Sequence, residues 1–204
     1  GESSPAVGAG LVYIGDLDGA LHAVRISDGK RAWVSKTSGE IKASPVLAEG
    51  KVLIGSYDGT FYAFEAATGK LAWSVKTAGQ VHSSAAVDQG LAYIAGCDGQ
   101  LRGIRISDGK QLSSLTTGSY TAASPAIENG RAYFATYDNE VMAADLKANR
   151  VLWRYEHPQR KFPYVSSAAL TGGMVIVGGR DKILHALDSA TGKERWSFMT
   201  KARI

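Results

Sequence analysis

The sequence contains few cysteines and prolines, and it lacks long apolar runs and blocks of like charge. Its single cysteine, Cys97, cannot form a disulfide within the chain or hold zinc alone. No apolar run approaches the roughly 18 residues that span a bilayer, and the first residues lack the basic and apolar pattern of a signal peptide. Lysine and arginine are scattered and the net charge is only +4. We therefore expect neither a membrane span nor nucleic-acid binding.

Glycine, in contrast, is abundant. The 24 glycines recur beside Asp, Asn and Ser, as they do in tight connections between strands. Apolar residues make up 45% of the chain, which suits a protein with a packed core. Because no segment shows a convincing 3.6-residue period, the sequence predicts strands and no helix.

The chain is built from internal repeats. Five aspartates mark it at steps of 40, 40, 40 and 43 residues: Asp18, Asp58, Asp98, Asp138 and Asp181. Fifteen residues after these anchors lie Trp33, Trp73, Ser113, Trp153 and Trp196, so all four tryptophans share one repeat position. Such a period indicates stacked supersecondary units.

Each unit reads as four short strands. In the second repeat they are predicted at 41–47, 51–56, 60–66 and 71–77, separated by short connections that contain glycine. A four-stranded sheet that is apolar on both faces must stack against its neighbours, and radial stacking is the usual solution. The fold class is therefore predicted to be all-β, a propeller of five four-stranded antiparallel blades.

We assign residues 1–204 to one domain. Its predicted repeats are 3–40, 41–80, 81–120, 121–163 and 164–204. The array could be a closed five-bladed ring or a segment of a larger propeller, and its first and last residues fall at the same phase of the repeat, which favours a segment. Open end faces would favour self-association.

The tryptophans are interpreted as structural. We expect the indoles of Trp33, Trp73, Trp153 and Trp196 to pack on the next blade, with the ring N–H bonded to a backbone carbonyl.

With its flanking residues, each tryptophan ends a pattern that resembles the docking motif A-x-D-x-x-T-G-K-x-x-W of pyrroloquinoline quinone (PQQ) dehydrogenases and their cofactor-free relatives. The best copy is Ala186, Asp188, Thr191, Gly192, Lys193 and Trp196. The third repeat departs from the motif at Ser113, and the fourth has Asn149-Arg150 in place of Gly-Lys. The resemblance covers the whole chain and implies a PQQ-like propeller in the periplasm or outside the cell.

The same resemblance leaves three functions open: a binding or assembly scaffold such as the outer-membrane assembly lipoprotein BamB, a PQQ-dependent alcohol or sugar dehydrogenase or a fragment of one, and a sensor domain of a larger receptor or kinase. The dehydrogenases need calcium and, in many alcohol dehydrogenases, a disulfide of adjacent cysteines, which Cys97 alone cannot supply. The anchor aspartates are explained by their turns. We expect a non-catalytic scaffold with no catalytic, cofactor or metal residues; PQQ and calcium belong only to the alternative.

Two features mark a candidate ligand face. The residue before each anchor varies while its surroundings repeat, and a three-residue insertion gives a basic, aromatic loop at 156–164. Loops that break a repeat are common sites of added function. The candidate residues are Tyr57, Cys97, Tyr137, Arg180, His157, Arg160, Lys161 and Phe162. They would suit a protein, peptide or glycan partner, with acidic ones favoured.

Overall fold

In the computed structural model, which describes residues 3–121 and 123–204, the chain forms five four-stranded antiparallel sheets and no helix in those ranges. Within each sheet the strands lie in chain order, so each blade is a meander. The predicted all-β propeller architecture of five blades is confirmed. The strands are β1 (Ala6–Gly8), β2 (Leu11–Gly15), β3 (Ala20–Arg25) and β4 (Arg31–Lys36) in blade one; β5 (Val46–Ala48), β6 (Lys51–Gly55), β7 (Thr60–Glu65) and β8 (Leu71–Lys76) in blade two; β9 (Ala86–Asp88), β10 (Leu91–Ala95), β11 (Gln100–Arg105) and β12 (Gln111–Thr116) in blade three; β13 (Ala126–Glu128), β14 (Arg131–Ala135), β15 (Glu140–Asp145) and β16 (Arg150–Glu156) in blade four; and β17 (Ala169–Thr171), β18 (Met174–Gly178), β19 (Ile183–Asp188) and β20 (Glu194–Met199) in blade five.

The innermost strand of a blade is shorter than predicted. The sequence predicts a strand over 41–47, but β5 covers only Val46–Ala48. The backbone amides that precede β5 donate hydrogen bonds to other blades instead of to β6. The amide of Ile41 donates to the carbonyl of Asp16 in blade one, and that of Ser44 donates to the hydroxyl of Ser84 in blade three. This segment is therefore a connection between blades.

The Ser44 contact belongs to a chain of bonds that runs through all five blades. The amide of each serine donates to the hydroxyl oxygen of the next over 2.9–3.1 Å, in the order Ser4, Ser44, Ser84, Ser124, Ser167. These serines repeat with the same period as the anchors, a signal that the sequence analysis did not use.

Four hydrophobic cores lie between the blades, one at each junction of consecutive blades. Tyr13 and Ile54 belong to the core between blades one and two, and Tyr133 and Val177 to the one between blades four and five. Among residues 3–121 and 123–204, no such core joins blade five to blade one. The contacts fit an open arc rather than a closed five-bladed ring.

Three tryptophans dock as the sequence predicts. Trp33 donates from Nε1 to the carbonyl of Ala66 (3.0 Å), Trp73 to that of Ile106 (2.8 Å), and Trp153 to that of Ser189 (3.1 Å). In each case the acceptor lies in the next blade, so the indole joins two blades by both packing and a hydrogen bond.

Trp196 is not docked in the described structure. Its side chain is 43% exposed, against 9% for Trp153, because no blade follows the fifth in the described structure. The matching turn in blade one is also uncovered. A Cβ added to Gly69 would lie 2.6 Å from the Trp33 ring, whereas one added to Gly29 would meet nothing within 4 Å. The first and fifth blades thus each leave one face open.

Candidate functional site

One face of the arc is defined by a hydrogen bond that recurs in four blades. The amide of the residue before the anchor aspartate donates to a carbonyl of the connection that leads into that blade. The pairs are Tyr57 with Glu40, Cys97 with Gln80, Tyr137 with Tyr120, and Arg180 with Pro163, at 2.9–3.3 Å. This bond places each residue before an anchor next to a residue of the connection, and both residue types vary from blade to blade. The candidate residues that precede the anchors therefore share a face.

In blade two, the side chains on this face contact one another. The hydroxyl of Tyr57 lies 2.5 Å from His82 Nδ1, and Lys42 Nζ lies 4.4 Å from the centre of the Tyr57 ring. Tyr57 also lines a groove of about 350 Å³ together with Lys76 and Gln80. Its hydroxyl is thus already engaged within the protein.

In blades three and four, the candidate residues before the anchors are Cys97 and Tyr137. Cys97 is half-buried, and burial raises the pKa of its thiol, which keeps the sulfur protonated and suits a packing role. Tyr137 is 38% exposed, and its neighbour Tyr120 is 60% exposed. The sequence analysis missed Tyr120; an aromatic residue where other repeats have Glu40 and Gln80 could have revealed it.

The blade-five part is a cationic cup, a cavity of about 420 Å³ that brings three of the candidate residues together. It is lined by Arg160, Phe162, Arg180, Asp181, Lys182, Met199 and Arg203. Arg160 donates from Nη1 to the carbonyl of Asp181 (3.1 Å). In the described parts of the chain, none of the four cations forms an ion pair. Lys182 and Arg203 were not predicted from the sequence.

The carboxylate of Asp181 bonds inward and forms no ion pair with the four cations of the cup among the described residues. It accepts from the amide of Ile183 (3.0 Å) and lies 2.9 Å from Nε2 of the buried His185. On the other side of this ring, Nδ1 lies 2.8 Å from Glu194. Both nitrogens can donate to these carboxylates only when the ring is doubly protonated.

The Tyr155 hydroxyl joins this network, whereas the buried Tyr164 hydroxyl has no hydrogen-bond partner among the described residues. Tyr155 donates to Glu194 (2.7 Å), and burial raises the pKa of Tyr155 and of Tyr164. Partial burial alone would raise the pKa of Glu194, but its hydrogen bonds with His185 and Tyr155 outweigh that effect and lower it. The side chain of His185 is fully buried, and each of its ring nitrogens lies within hydrogen-bond distance of a carboxylate. The network fixes the turn at 179–182.

The inserted loop folds onto blade five instead of standing clear of it. His157 Nδ1 accepts from the amides of Gln159 (3.2 Å) and Arg160 (3.1 Å), and its ring centre lies 5.8 Å from that of His185. Lys161 is 3.2 Å from Glu156 and does not line the cup. Of the four loop residues predicted, Arg160 and Phe162 line the cup.

The anchor aspartates have partners that the sequence did not reveal. Three of them contact the side chain four residues later: Asp58 accepts from Tyr62 (2.7 Å), Asp98 accepts from Arg102 at two atoms (2.9 and 2.6 Å), and Asp181 lies against His185 as described above. Within residues 3–121 and 123–204, no three His, Cys, Asp or Glu side chains are grouped so that they could hold a metal ion. The same residues contain no helix long and apolar enough to cross a membrane.

Four-stranded blades that dock through a last-strand tryptophan define the class of PQQ-like propellers. The family model described as outer membrane protein assembly factor BamB matches residues 1–121 and, in a second match, residues 78–203. The chain belongs to this BamB family. No protein of curated function matches it.

Two solved structures share the fold. The crystal structure of BamB from Moraxella catarrhalis has a TM-score of 0.83 at 17% identity. That of the computationally designed Ika8 protein has a TM-score of 0.84, also at 17% identity. Each match covers 98% of this chain but 62% of the other, so the chain spans less than two thirds of the length of either structure.

Proposed function

We propose that this protein is a non-catalytic, extracytoplasmic scaffold that holds an acidic segment of a protein partner in the cationic cup. The family name, an outer membrane assembly factor, supports a scaffold outside the cytoplasm rather than an enzyme. The observation that carries the proposal is the cup itself, where four cations without acidic partners among the described residues surround the exposed side chains of Phe162 and Met199.

This composition suits a peptide in which carboxylates alternate with apolar side chains. Arginine binds carboxylates through a planar fork of donors, and the apolar walls exclude water from those contacts. Arginine and aromatic residues also dominate interface energies in general. Tyr120 and Tyr137 lie on the same face and would extend the contact beyond the cup.

The test is the binding of a fluorescein-labelled peptide of alternating Glu and Phe, measured by anisotropy, with a Lys-Phe peptide as the comparison. Arg180→Ala and Arg203→Ala should each weaken binding about 5- to 30-fold, the cost of losing one charged contact. Affinity should also fall between 0.05 and 0.5 M salt because the charges are screened.

Arg31→Ala is the matched control, since Arg31 is exposed on blade one and lies outside the cup. Equal losses in the control and the cup variants would contradict the proposal, as would equal affinity for the two peptides. Calcium- and PQQ-dependent dye reduction by the purified protein would refute the non-catalytic assignment.

A further inference from the structure

The cationic cup is built around one turn, residues 179–182, which joins β18 to β19. Two of its four cations, Arg180 and Lys182, belong to this turn. The third, Arg160, is tied to the turn because its Nη1 donates to a carbonyl there (3.1 Å). The fourth, Arg203, directly precedes a residue whose amide donates to another carbonyl of the turn (3.3 Å). The geometry of the turn therefore decides where the charges of the cup lie.

The backbone of this turn is strained at Lys182. Its φ of 67° lies in the left-handed region, which L side chains rarely adopt. The corresponding residue is glycine in the first three blades and asparagine in the fourth, and both residue types tolerate a left-handed backbone. Four like charges that share one cavity also repel one another. The turn therefore needs support from the residues beneath it to keep its shape.

The buried ring of His185 supplies this support. Its side chain is 0% exposed, and Nε2 lies 2.9 Å from the carboxylate of Asp181, inside the turn. Nδ1 lies 2.8 Å from the carboxylate of Glu194 on β20. The aromatic rings that pack against the imidazole, with ring centres 5.4–5.8 Å away, are those of Tyr155, His157 and Tyr164. With the two carboxylates, these are the titratable groups that the described contacts place against the ring.

Blade one contains a histidine at the same repeat position but in different surroundings. The side chain of His22 is 33% exposed, and in the described contacts only its Nε2 meets a carboxylate, that of Asp16 (2.7 Å). A neutral imidazole satisfies such a pair, because its single N–H donates to the carboxylate. A neutral His185 ring would instead turn a lone pair towards one of its two carboxylates, in a buried site where water cannot replace the lost donor.

We propose that His185 is a positioning residue of the cationic cup, and that the doubly protonated ring is the form that holds the cup in its binding geometry. This inference rests on the proposed function, since it assigns how the same cup is held and regulated. Loss of one ring proton leaves Asp181 or Glu194 without its donor and makes the network beneath the cup one charge more negative. Both effects disfavour bound carboxylates, so the affinity for an acidic partner should fall as the pH rises.

The first experiment needs no partner. NMR spectra of the intact ¹⁵N-labelled protein at about pH 6.5 should show both ring nitrogens of His185 protonated. As the pH is raised to about 9, the backbone amide signals of Arg180 and Lys182 should shift in step with those of the ring. A single ring N–H at the lower pH, or turn amides that do not follow the ring, would overturn the positioning role. A ring that keeps both protons throughout would overturn the regulation by pH.

The second experiment measures the binding of the labelled Glu-Phe peptide. His185→Gln should weaken binding about 3- to 10-fold at the lower pH and remove most of its fall with rising pH, because a glutamine amide cannot donate in two opposite directions. His22→Gln is the matched control, since it makes the same change at the same repeat position outside the cup. It should alter affinity by less than about twofold.

If His185→Gln folds poorly, Glu194→Gln is the second variant. Its amide oxygen can still accept from the ring and from Tyr155, but one negative charge is lost, so the fall in affinity should begin at a lower pH than in the wild type. Unchanged binding by His185→Gln, beside a loss in Arg180→Ala, would refute the positioning role and leave the proposed function intact. A wild-type protein that does not bind the peptide would contradict the proposed function, while the NMR experiment would still decide the role of the ring.

Discussion

Trp73 and Trp196 occupy the same position of the repeat but have opposite surroundings. Trp73 donates to the Ile106 carbonyl of the next blade, whereas the Trp196 side chain is 43% exposed and has no hydrogen bond to any described residue. The sequence around Trp196 is the better match to the docking motif. The motif therefore specifies which residue can dock, while the following blade decides whether it does.

The largest expected effect is at a docked tryptophan. Trp73→Ala should lower the free energy of unfolding by about 3–5 kcal/mol, because it removes a packed indole and orphans a carbonyl. Trp196→Ala should change it by less than about 0.5 kcal/mol, as is usual for exposed residues. Urea unfolding of both variants measures the difference, and similar losses in the two would contradict this comparison of the two tryptophans.

The second prediction concerns the anchor pair of blade three. Partial burial alone would raise the pKa of Asp98, but the hydrogen bonds and charge of Arg102 outweigh this and hold it below the usual value. Because the folded pKa is lowered, the stabilisation is present above the unfolded pKa of about 3.9 and is lost as pH falls through the folded value. Asp98→Asn should cost about 1–3 kcal/mol at pH 7.

The difference between Asp98→Asn and the wild type should shrink as the pH is lowered below 4, which urea unfolding at several pH values can follow. Asp18→Asn is the matched control, since the anchor of blade one has no such cation partner in the described contacts. A gap that stays constant from pH 7 to pH 3 would remove the ionic explanation.

The third prediction compares a turn that is covered by a docked indole with one that is not. Gly69→Asn should destabilise by about 1–3 kcal/mol, because its Cβ would overlap the Trp33 ring. The reverse change, Asn149→Gly, should cost less than about 1 kcal/mol, since it loses one exposed hydrogen bond but relieves a positive φ of 51°. Thermal unfolding of the two variants tests this; equal losses would show that the two turns do not differ.

Much of the fold follows from the sequence, because period, turn glycines and docking tryptophans all depend on local spacing. The pairing of Trp33 with the blade that contains Gly69 could be predicted in this way. The exposure of Trp196 could not, since it depends on what lies next to the last blade. In the site, the sequence indicated Arg160, Phe162 and Arg180, which deviate from the repeat. Lys182 and Arg203 were missed because they lie far apart in the chain and come to the same cavity only where β20 pairs with β19. The contacts of His185 were missed because one of its two carboxylate partners, Glu194, lies on the next strand.

The separation of the four cores affects the order in which the blades unfold. Since each core is shared only by adjacent blades, cooperativity passes from neighbour to neighbour, as in a one-dimensional chain of coupled units. The blade with one coupled neighbour and the least protected outer strand is the fifth: every residue of β20 is exposed, whereas β8 alternates between exposed and partly buried positions. Opening should therefore start at blade five and move inward, so that amide hydrogen exchange is graded along the arc, with the slowest exchange in the blades enclosed on both sides.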